Sequence, residues 1–327
     1  MQGFAPKFAD FPDYIIGITK EIWEDRGIAT LHEYYAEDIV VRSPASLVIG
    51  NSGVIAATMA TLAEFPDRRL LGEDVIWSGS PETGMLSSHR ILSTATHGGD
   101  GIYGRASGAM LRYRILADCH AKNNKIDDEW LIRDQGAIVR QLGWEPKDYA
   151  AKVIEDEGGP SQATPPLTPE SDQPGPYTGK GNDSEWGARL AELLTRIMAA
   201  DMAAIPQAYD RAANLYYPGG VEDQSHDGAD RFWMGLRASF PDATFTIDHT
   251  IGRDDPMMPP RAAVRWSLWG KHSGWGAFGA PSGAMVYVLG ITQAEFGSLG
   301  AAAPTLRREY TLFDETAVWK QILLGGV

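Results

Sequence analysis

The chain has very little cysteine and no long apolar run. Cys119 is the single cysteine among 327 residues, so an intrachain disulfide and a thiolate metal cluster are both excluded. No stretch approaches the roughly 20 apolar residues that cross a bilayer. Residues 1–13 also lack the basic and apolar regions of a secretion signal. We therefore expect a soluble, cytoplasmic protein.

Positive charge is also scarce. The 29 Lys and Arg residues face 43 Asp and Glu residues, which gives a net charge of −14. Such a surface repels phosphate backbones and anionic lipid, so we expect neither a nucleic-acid nor a membrane partner. Hydrophobic residues make up 43% of the chain, as in folded globular proteins. At roughly 100–200 residues per domain, the length predicts two domains.

A segment rich in proline and glycine divides the chain. Residues 158–182 contain six prolines and five glycines and show no apolar periodicity. Such a composition is typical of a linker, since it buries too little surface to offset its ordering entropy. A peptide ligand is the alternative, and a plain spacer is favoured. The sequence therefore predicts a first domain over 1–157 and a second over 183–327.

The two halves repeat each other. Residues 97–110 and 272–285 are identical at eight of fourteen positions, at an offset of 175. The same offset aligns the Phe-Pro-Asp at 65–67 with that at 240–242. Further on the offset becomes 180, which pairs Glu129 with Glu309 and predicts a loop insertion within 297–303. The chain therefore carries one domain twice, by duplication.

Each copy begins with helices and continues as strands. Helical spacing of apolar residues predicts a helix near 11–22, a short one over 28–35 and a third beginning at Asn51. After Pro66 the residues favour strands over 70–77, 85–96, 109–119 and 125–134. Helices followed by a run of strands indicate an α+β fold, an antiparallel sheet with helices on one face.

The first copy resembles the SnoaL-like polyketide cyclases. The resemblance lies in the run from His97 to Asp118 and then from Ile126 to Leu142, with Phe-Pro-Asp at 65–67 and the glycines after His97. That family belongs to the superfamily of ketosteroid isomerase and nuclear transport factor 2. The resemblance implies two tandem cone-shaped domains packed as an internal pseudo-dimer, with a site that needs no metal and no cofactor. The superfamily includes enzymes and non-catalytic members, so fold alone does not fix the activity.

Three glycines match the spacing of a dinucleotide-binding motif but lack its structural context. Gly99, Gly101 and Gly104 match the spacing of the fingerprint, which works because its glycines open a helix whose N-terminus holds a pyrophosphate. The following residues 111–117 alternate as a strand does. We therefore read these glycines as a connection between strands.

Asp118 and His97 are the catalytic candidates. The resemblance implies that an Asp at the position of Asp118 is the acid/base group, which abstracts a proton from carbon before an aldol attack. A protonated His97 is our candidate for the donor to the carbonyl oxygen. Strand alternation argues otherwise, because it places Asp118 on the face opposite Tyr113 and Ile115. Asp118 is alternatively a turn residue, and His97 a cap of the glycine turn, as its repetition in His272 suggests.

Three further residues are candidates for substrate binding: His89, Trp77 and Trp130. The alternative for each is a packed or surface position. Glu129 is a second carboxylate, but alternation places it with Leu131 and Arg133, away from Trp130. The counterpart of Asp118 in the second copy is Gln293, which cannot take a proton from carbon. The second copy is therefore expected to be a structural partner.

Two main hypotheses of function follow. The first is a polyketide cyclase-type enzyme, which performs cofactor-independent aldol cyclisation or isomerisation on a small hydrophobic carbonyl compound. The second is a non-catalytic protein of the same fold that binds a hydrophobic small molecule. A third, less favoured, is a scaffold for protein partners, which would need an exposed apolar patch. The sequence does not identify a substrate.

Overall fold

The computed structural model describes residues 1–297 and 303–326, which form two α+β domains. Most of the predicted insertion, 298–302, lies outside the described residues. The first domain consists of α1 (Phe11–Thr19), a π-helical turn (Lys20–Glu24), a 3-10 turn (Ile28–Thr30), α2 (Leu31–Tyr34), β1 (Tyr35–Ser43), β2 (Ser46–Ile49), α3 (Asn51–Glu64), β3 (Arg69–Ser80), β4 (Gly84–Thr96), β5 (Met110–Lys122), β6 (Lys125–Arg133), α4 (Gln135–Gln141) and α5 (Pro146–Asp156).

The second domain repeats this order. Its elements are α6 (Glu185–Met198), α7 (Ala204–Ala208), β7 (Tyr209–Tyr217), β8 (Val221–Gln224), α8 (Ser225–Ser239), β9 (Thr244–Arg253), β10 (Arg261–Lys271), β11 (Met285–Gly297), β12 (Thr305–Leu312) and α9 (Glu315–Gly325). The α+β class and the tandem arrangement are therefore confirmed. The Gly101–Gly104 segment is a bridged turn that leads into β5, so the glycine motif connects two strands.

Both sheets have the same strand order. Across the described residues, the first sheet runs β2-β1-β6-β5-β4-β3 and the second β8-β7-β12-β11-β10-β9. The expectation of a fully antiparallel sheet is wrong at one place in each copy. β1 pairs with β6, and β7 with β12, in parallel. After the β1–β2 hairpin the chain passes through α3 to the far edge of the sheet, so the second neighbour of β1 is the last strand, β6, and not β3.

Four of the described helices begin at a side-chain cap. Asp10 caps α1 by accepting from the amide of Asp13, and Ser184 caps α6 by accepting from Trp186. Asp134 and Asp314, which occupy aligned positions in the two copies, cap α4 and α9. A side-chain cap satisfies amides that the first turn leaves free. These caps fix the helix that closes each sheet.

One face of each sheet packs against the sheet of the other domain, and the opposite face is covered by the helices of its own domain. Leu116 and Ile132 of the first sheet pack against Leu289 and Ile291 of the second. A second cluster joins the sheets further along, formed by Ile76, Leu86, Ile251 and Ala263. Both faces of each sheet are therefore buried, one by the helices and one by the other domain. This arrangement decides where the candidate residues lie.

The proline-rich segment is packed rather than free. Leu167 is buried and its amide donates to the carbonyl of Pro44 over 3.0 Å. The Tyr177 hydroxyl lies 2.7 Å from Nε2 of His249 in the second domain. At Gly181, where φ is +108°, a Cβ would lie 1.5 Å from the carbonyl oxygen of Thr250. The segment therefore lies along the junction and does more than span it.

Candidate active site

A cavity of about 540 Å³ lies between the first sheet and α3. A smaller chamber of about 80 Å³ adjoins it and reaches β4 and β5. Among the residues that line both are Trp23, Tyr35, Arg68, Glu129, Leu131 and Arg133. The lining is therefore apolar with a few ionisable groups, as in small-molecule sites. The larger volume is enough for a compound of one or two rings.

Strand pairing brings the ionisable groups onto one face. His89 on β4 lies opposite Ala117 on β5, and Ala117 lies opposite Leu131 on β6. In the next row of this face Cys119 lies opposite Glu129. Because side chains alternate along a strand, Glu129, Leu131 and Arg133 share the cavity face. The alternation predicted for Glu129 is thus confirmed, but the face it defines is the interior of the cone.

Burial sets the ionisation of the groups at one part of the cavity. It raises the pKa of Glu129 to about 7, although the Tyr35 hydroxyl lowers it. It lowers the pKa of His89 to about 4, so this imidazole is neutral at pH 7. The Nδ1 atom of His89 lies 3.1 Å from the Ser87 hydroxyl. The smaller chamber is thus lined by a carboxyl group that titrates near neutrality and, two strands away, by a neutral imidazole.

Two arginines occupy another part of the wall. Arg68 is buried and donates from Nε to the Ser93 hydroxyl over 3.4 Å. The Nε of Arg133 is buried without a hydrogen-bond partner in the described part of the chain. Burial raises the pKa of Tyr113, but the guanidinium groups of Arg68 and Arg133 outweigh it and lower the pKa overall. This part of the cavity is therefore electropositive.

Asp118 does not line this cavity. β5 continues without a bulge through Asp118, whose side chain lies on the face toward the second domain. There the Nη1 of Arg265 donates to its Oδ2 over 2.6 Å, and the same guanidinium stacks on Trp130 at 3.6 Å. This placement corrects the expectation that Asp118 is the base, since its carboxylate is engaged in the domain interface.

His97 is held in the glycine loop, away from Asp118. Its Nδ1 lies 3.0 Å from the Ser107 hydroxyl, and its Nε2 lies 3.3 Å from Oε1 of Glu64. His272 makes the same contact with Ser282 at 3.1 Å. A contact repeated in both copies indicates a structural role in the loop. The predicted pairing of His97 with Asp118 is therefore corrected as well.

Of the three candidates for substrate binding, the structure places only His89 in the cavity wall. Trp77 contacts Phe11 edge-on, with 6.0 Å between the ring centroids. The guanidinium of Arg253 lies over the Trp77 ring, 4.2 Å from its centroid. Trp130 lies on the domain interface with Asp118, at a separate cleft of about 210 Å³. Trp130 thus lies on the face toward the second domain, whereas Trp77 packs against α1 on the helix side of the sheet, outside both chambers.

The second domain has an apolar interior where the first has a polar one. The repeat aligns Arg68 with Ala243, His89 with Val264 and Arg133 with Phe313. All three replacements are buried, and Trp266 fills the position of Ile91. The carboxylate of Glu309 remains, but it accepts from the hydroxyls of Tyr209 and Tyr217 over 2.7 and 2.9 Å. This difference between copies is the signal by which sequence comparison could have found Arg68 and Arg133.

No group of three or more potential metal ligands lies together in residues 1–297 and 303–326. Within the same residues, no helix is long and apolar enough to cross a membrane. The site therefore offers a carboxyl group, an imidazole, hydroxyls and two guanidinium groups. These groups are suited to moving protons and binding oxygen atoms.

Residues 14–142 match the family model described as SnoaL-like polyketide cyclase. No curated relative matches the chain at a significant level. The first domain is thus a SnoaL-like domain, as its residues suggested, and the chain holds two copies of that α+β fold. This family assignment rests on the matched residues.

Several solved structures resemble the chain over part of its length. IdmH of Streptomyces antibioticus is 21% identical over 41% of this chain and 98% of its own, with a TM-score of 0.36. A SnoaL-like polyketide cyclase of Agrobacterium tumefaciens is 19% identical over 40% and 97%, with a TM-score of 0.33. A nuclear transport factor 2 superfamily protein of Salmonella enterica is 12% identical over 39% and 87%, also at 0.33.

Proposed function

We propose that the first domain is a cofactor-independent enzyme of the cyclase type that uses Glu129 as its base on a small carbonyl compound. The observation that carries this proposal is the carboxyl group of Glu129, buried in the cavity wall with a pKa of about 7. A general base works best when its pKa lies near the working pH. Asp118 takes no part in this proposal.

The proposed reaction moves one proton and returns it. Glu129 takes a proton from the carbon next to a carbonyl, and the electrons of that C–H bond move to the carbonyl oxygen. In the tautomer in which the Ser87 hydroxyl donates to Nδ1 of His89, the ring carries its proton on Nε2 and donates it in a hydrogen bond to this oxygen. The enolate then attacks a second carbonyl in the same molecule. Glu129 returns its proton to the new alkoxide, and no oxidant is needed.

Replacing Glu129 with glutamine should slow proton abstraction from carbon by about 100- to 10,000-fold, the usual contribution of a positioned base. The measurement is deuterium exchange at the α-carbon of aryl ketones, with and without a carboxylate group, followed by NMR in D₂O. This reaction needs only the first step, so the natural substrate is not required.

Glu309→Gln is the matched control, because Glu309 is the aligned carboxylate in the second domain. This variant should exchange at the wild-type rate per folded molecule. Exchange by Glu129→Gln as fast as by wild type would refute the proposed base. If wild type and both variants bind the ketones and none of them exchanges the α-proton, the result would instead support the non-catalytic alternative.

We also propose that residues 1–157 and 183–327 remain associated as an internal pseudo-dimer in which the second domain supports the first. Support comes from the interface ion pair of Asp118 and Arg265 and from the apolar contacts between the sheets. The linker contributes Asp172, which accepts from Arg42 Nε over 2.7 Å.

Cleavage of the linker should therefore leave the two halves together. A protease site placed at Ser161 and Gln162, which are exposed, allows the cut to be made in the folded protein. Size-exclusion chromatography should then show one species of unchanged size. Elution of two separate half-size species would contradict the pseudo-dimer.

A further inference from the structure

The arginine pair in the cavity wall has no role in the proton transfer just described. Arg68 lies immediately before β3, and Arg133 is the last residue of β6. Both line the larger cavity and the smaller chamber that adjoins it. Two positive groups therefore face the same cavity.

Neither guanidinium has a carboxylate partner in the described part of the chain. The neighbours of Arg133 are the hydroxyls of Tyr103 and Tyr113, with a weaker attraction from Asp314 of the second domain. The Oδ1 of Asp314 is already bound to the amides of Thr316 and Ala317.

Other carboxylates near the cavity are also occupied or lack full charge. Glu64 lines it, but its two oxygens accept from the amides of Ile102 and Tyr103. Glu129 titrates near pH 7. Removing a charge from water without a partner is costly, so the unpaired guanidinium groups indicate that a counter-charge is supplied from outside the chain.

The fold itself does not need these arginines. The aligned positions in the second domain are Ala243 and Phe313, both buried in an apolar core on the same sheet topology. Two uncharged residues thus satisfy the packing requirement there. The cost of two unpaired cations in the first domain is explained by binding.

We propose that the substrate of this site carries a carboxylate, which Arg68 and Arg133 bind while its apolar body lies against Trp23 and Leu131. That the bound compound is a substrate rests on the proposed function. That the cavity binds a carboxylate rests on the cavity alone. Guanidinium groups match carboxylates because their N–H donors form a planar fork. The class of compound is an aromatic or cyclic keto acid that fits the 540 Å³ cavity.

The test compares acids with their own methyl esters. The probes are 2-naphthoate and 2-naphthylacetate, titrated by calorimetry against the full chain together with the two esters. The acids should bind wild type about 10- to 100-fold more tightly than the esters, the range that a hydrogen bond between charged groups supplies. Acids that bind no better than their esters would overturn the proposal.

Single-residue variants test whether the preference for acids over esters depends on Arg68 and Arg133. Arg133→Met keeps an unbranched side chain without the charge, and Arg68→Ala copies the second domain; each should bring the ratio of acid to ester affinity to about 1. Arg112→Met, a change at a largely exposed arginine of β5, should leave the ratio unchanged. A ratio that survives in both cavity variants would also overturn the proposal.

The two proposals can fail separately. If the acids bind with the expected preference but no ketone exchanges its α-proton, the carboxylate site stands and the catalytic role of Glu129 falls. If exchange depends on Glu129 while acids and esters bind alike, the base stands and the carboxylate site falls.

Discussion

Replacing Asp118 with alanine should lower the free energy of unfolding by about 3–5 kcal/mol, because it leaves the buried guanidinium of Arg265 without its partner. Arg265 and Asp118 are both nearly inaccessible, and their bond of 2.6 Å joins the two domains. Denaturation with urea, followed by tryptophan fluorescence, measures the loss. This result would give Asp118 a structural role, as its position at the interface requires.

Asp118→Gln is the control that the chain itself provides. At the matching place in the second domain, Gln293 accepts from Nη1 of Arg90 over 2.8 Å and donates to the Ser88 hydroxyl over 3.2 Å. Glutamine should therefore keep most of the stability that alanine loses, and both variants should retain deuterium exchange per folded molecule. An alanine variant as stable as wild type that no longer exchanges would restore Asp118 as the catalytic group.

Replacing Glu129 with glutamine should change how stability depends on pH. The folded protein holds the proton of Glu129 up to a pKa of about 7, against 4.5 for an ordinary glutamate. A pKa raised by folding adds stability that is fully present below the unfolded value and is lost as the pH rises through the folded one. The loss between pH 4.5 and 8 should reach about 3 kcal/mol, at 1.36 kcal/mol per pKa unit.

The difference in unfolding free energy between Glu129→Gln and wild type isolates the contribution of Glu129. His89, whose pKa falls to about 4, and Asp134, whose pKa rises to about 6, also titrate on folding, but they are shared by both proteins and cancel. Unfolding free energies should be measured for both proteins at pH 5, 6, 7 and 8. The stability of the variant relative to wild type should increase as the pH rises.

Glu73→Gln is the control for this pH series, because the pKa of Glu73 is shifted the other way. Burial raises the pKa of Glu73, but Arg114 and Arg90 outweigh it and lower the pKa overall. The Glu73 variant should therefore show no such gain with rising pH. A flat difference for Glu129→Gln would mean that its carboxyl group is not desolvated in the folded protein.

Much of the fold could be predicted from the sequence. The duplication, the α+β class and the first helix, α1, all follow from patterns of spacing. The hairpin of β1 and β2 was missed because it is short and continues directly from α2. The parallel pairing of β1 with β6 could not be predicted, since it depends on the path of the chain through α3 and not on any local pattern.

The candidate site was harder to predict, for a physical reason. Alternation correctly separates Asp118 from Tyr113 and Ile115, but it does not say which face of the strand borders the cavity. Here both faces are buried, one by the helices and one by the second domain. Polarity therefore does not distinguish the interior of the cone from the domain interface, and the sequence does not identify the face of Glu129 as the one that borders the cavity.

The interface between the domains is symmetric in position but not in chemistry. Arg265 forms an ion pair with Asp118, whereas at the equivalent place Arg90 forms a hydrogen bond with the uncharged Gln293. A homodimer encoded by one short gene would carry every substitution twice, so a filled cone in one subunit would mean a filled cone in both. Fusion into a single chain removes that coupling. Each half can then change separately, as shown by the buried Ala243 and Phe313 at the positions where the first domain has the cavity residues Arg68 and Arg133.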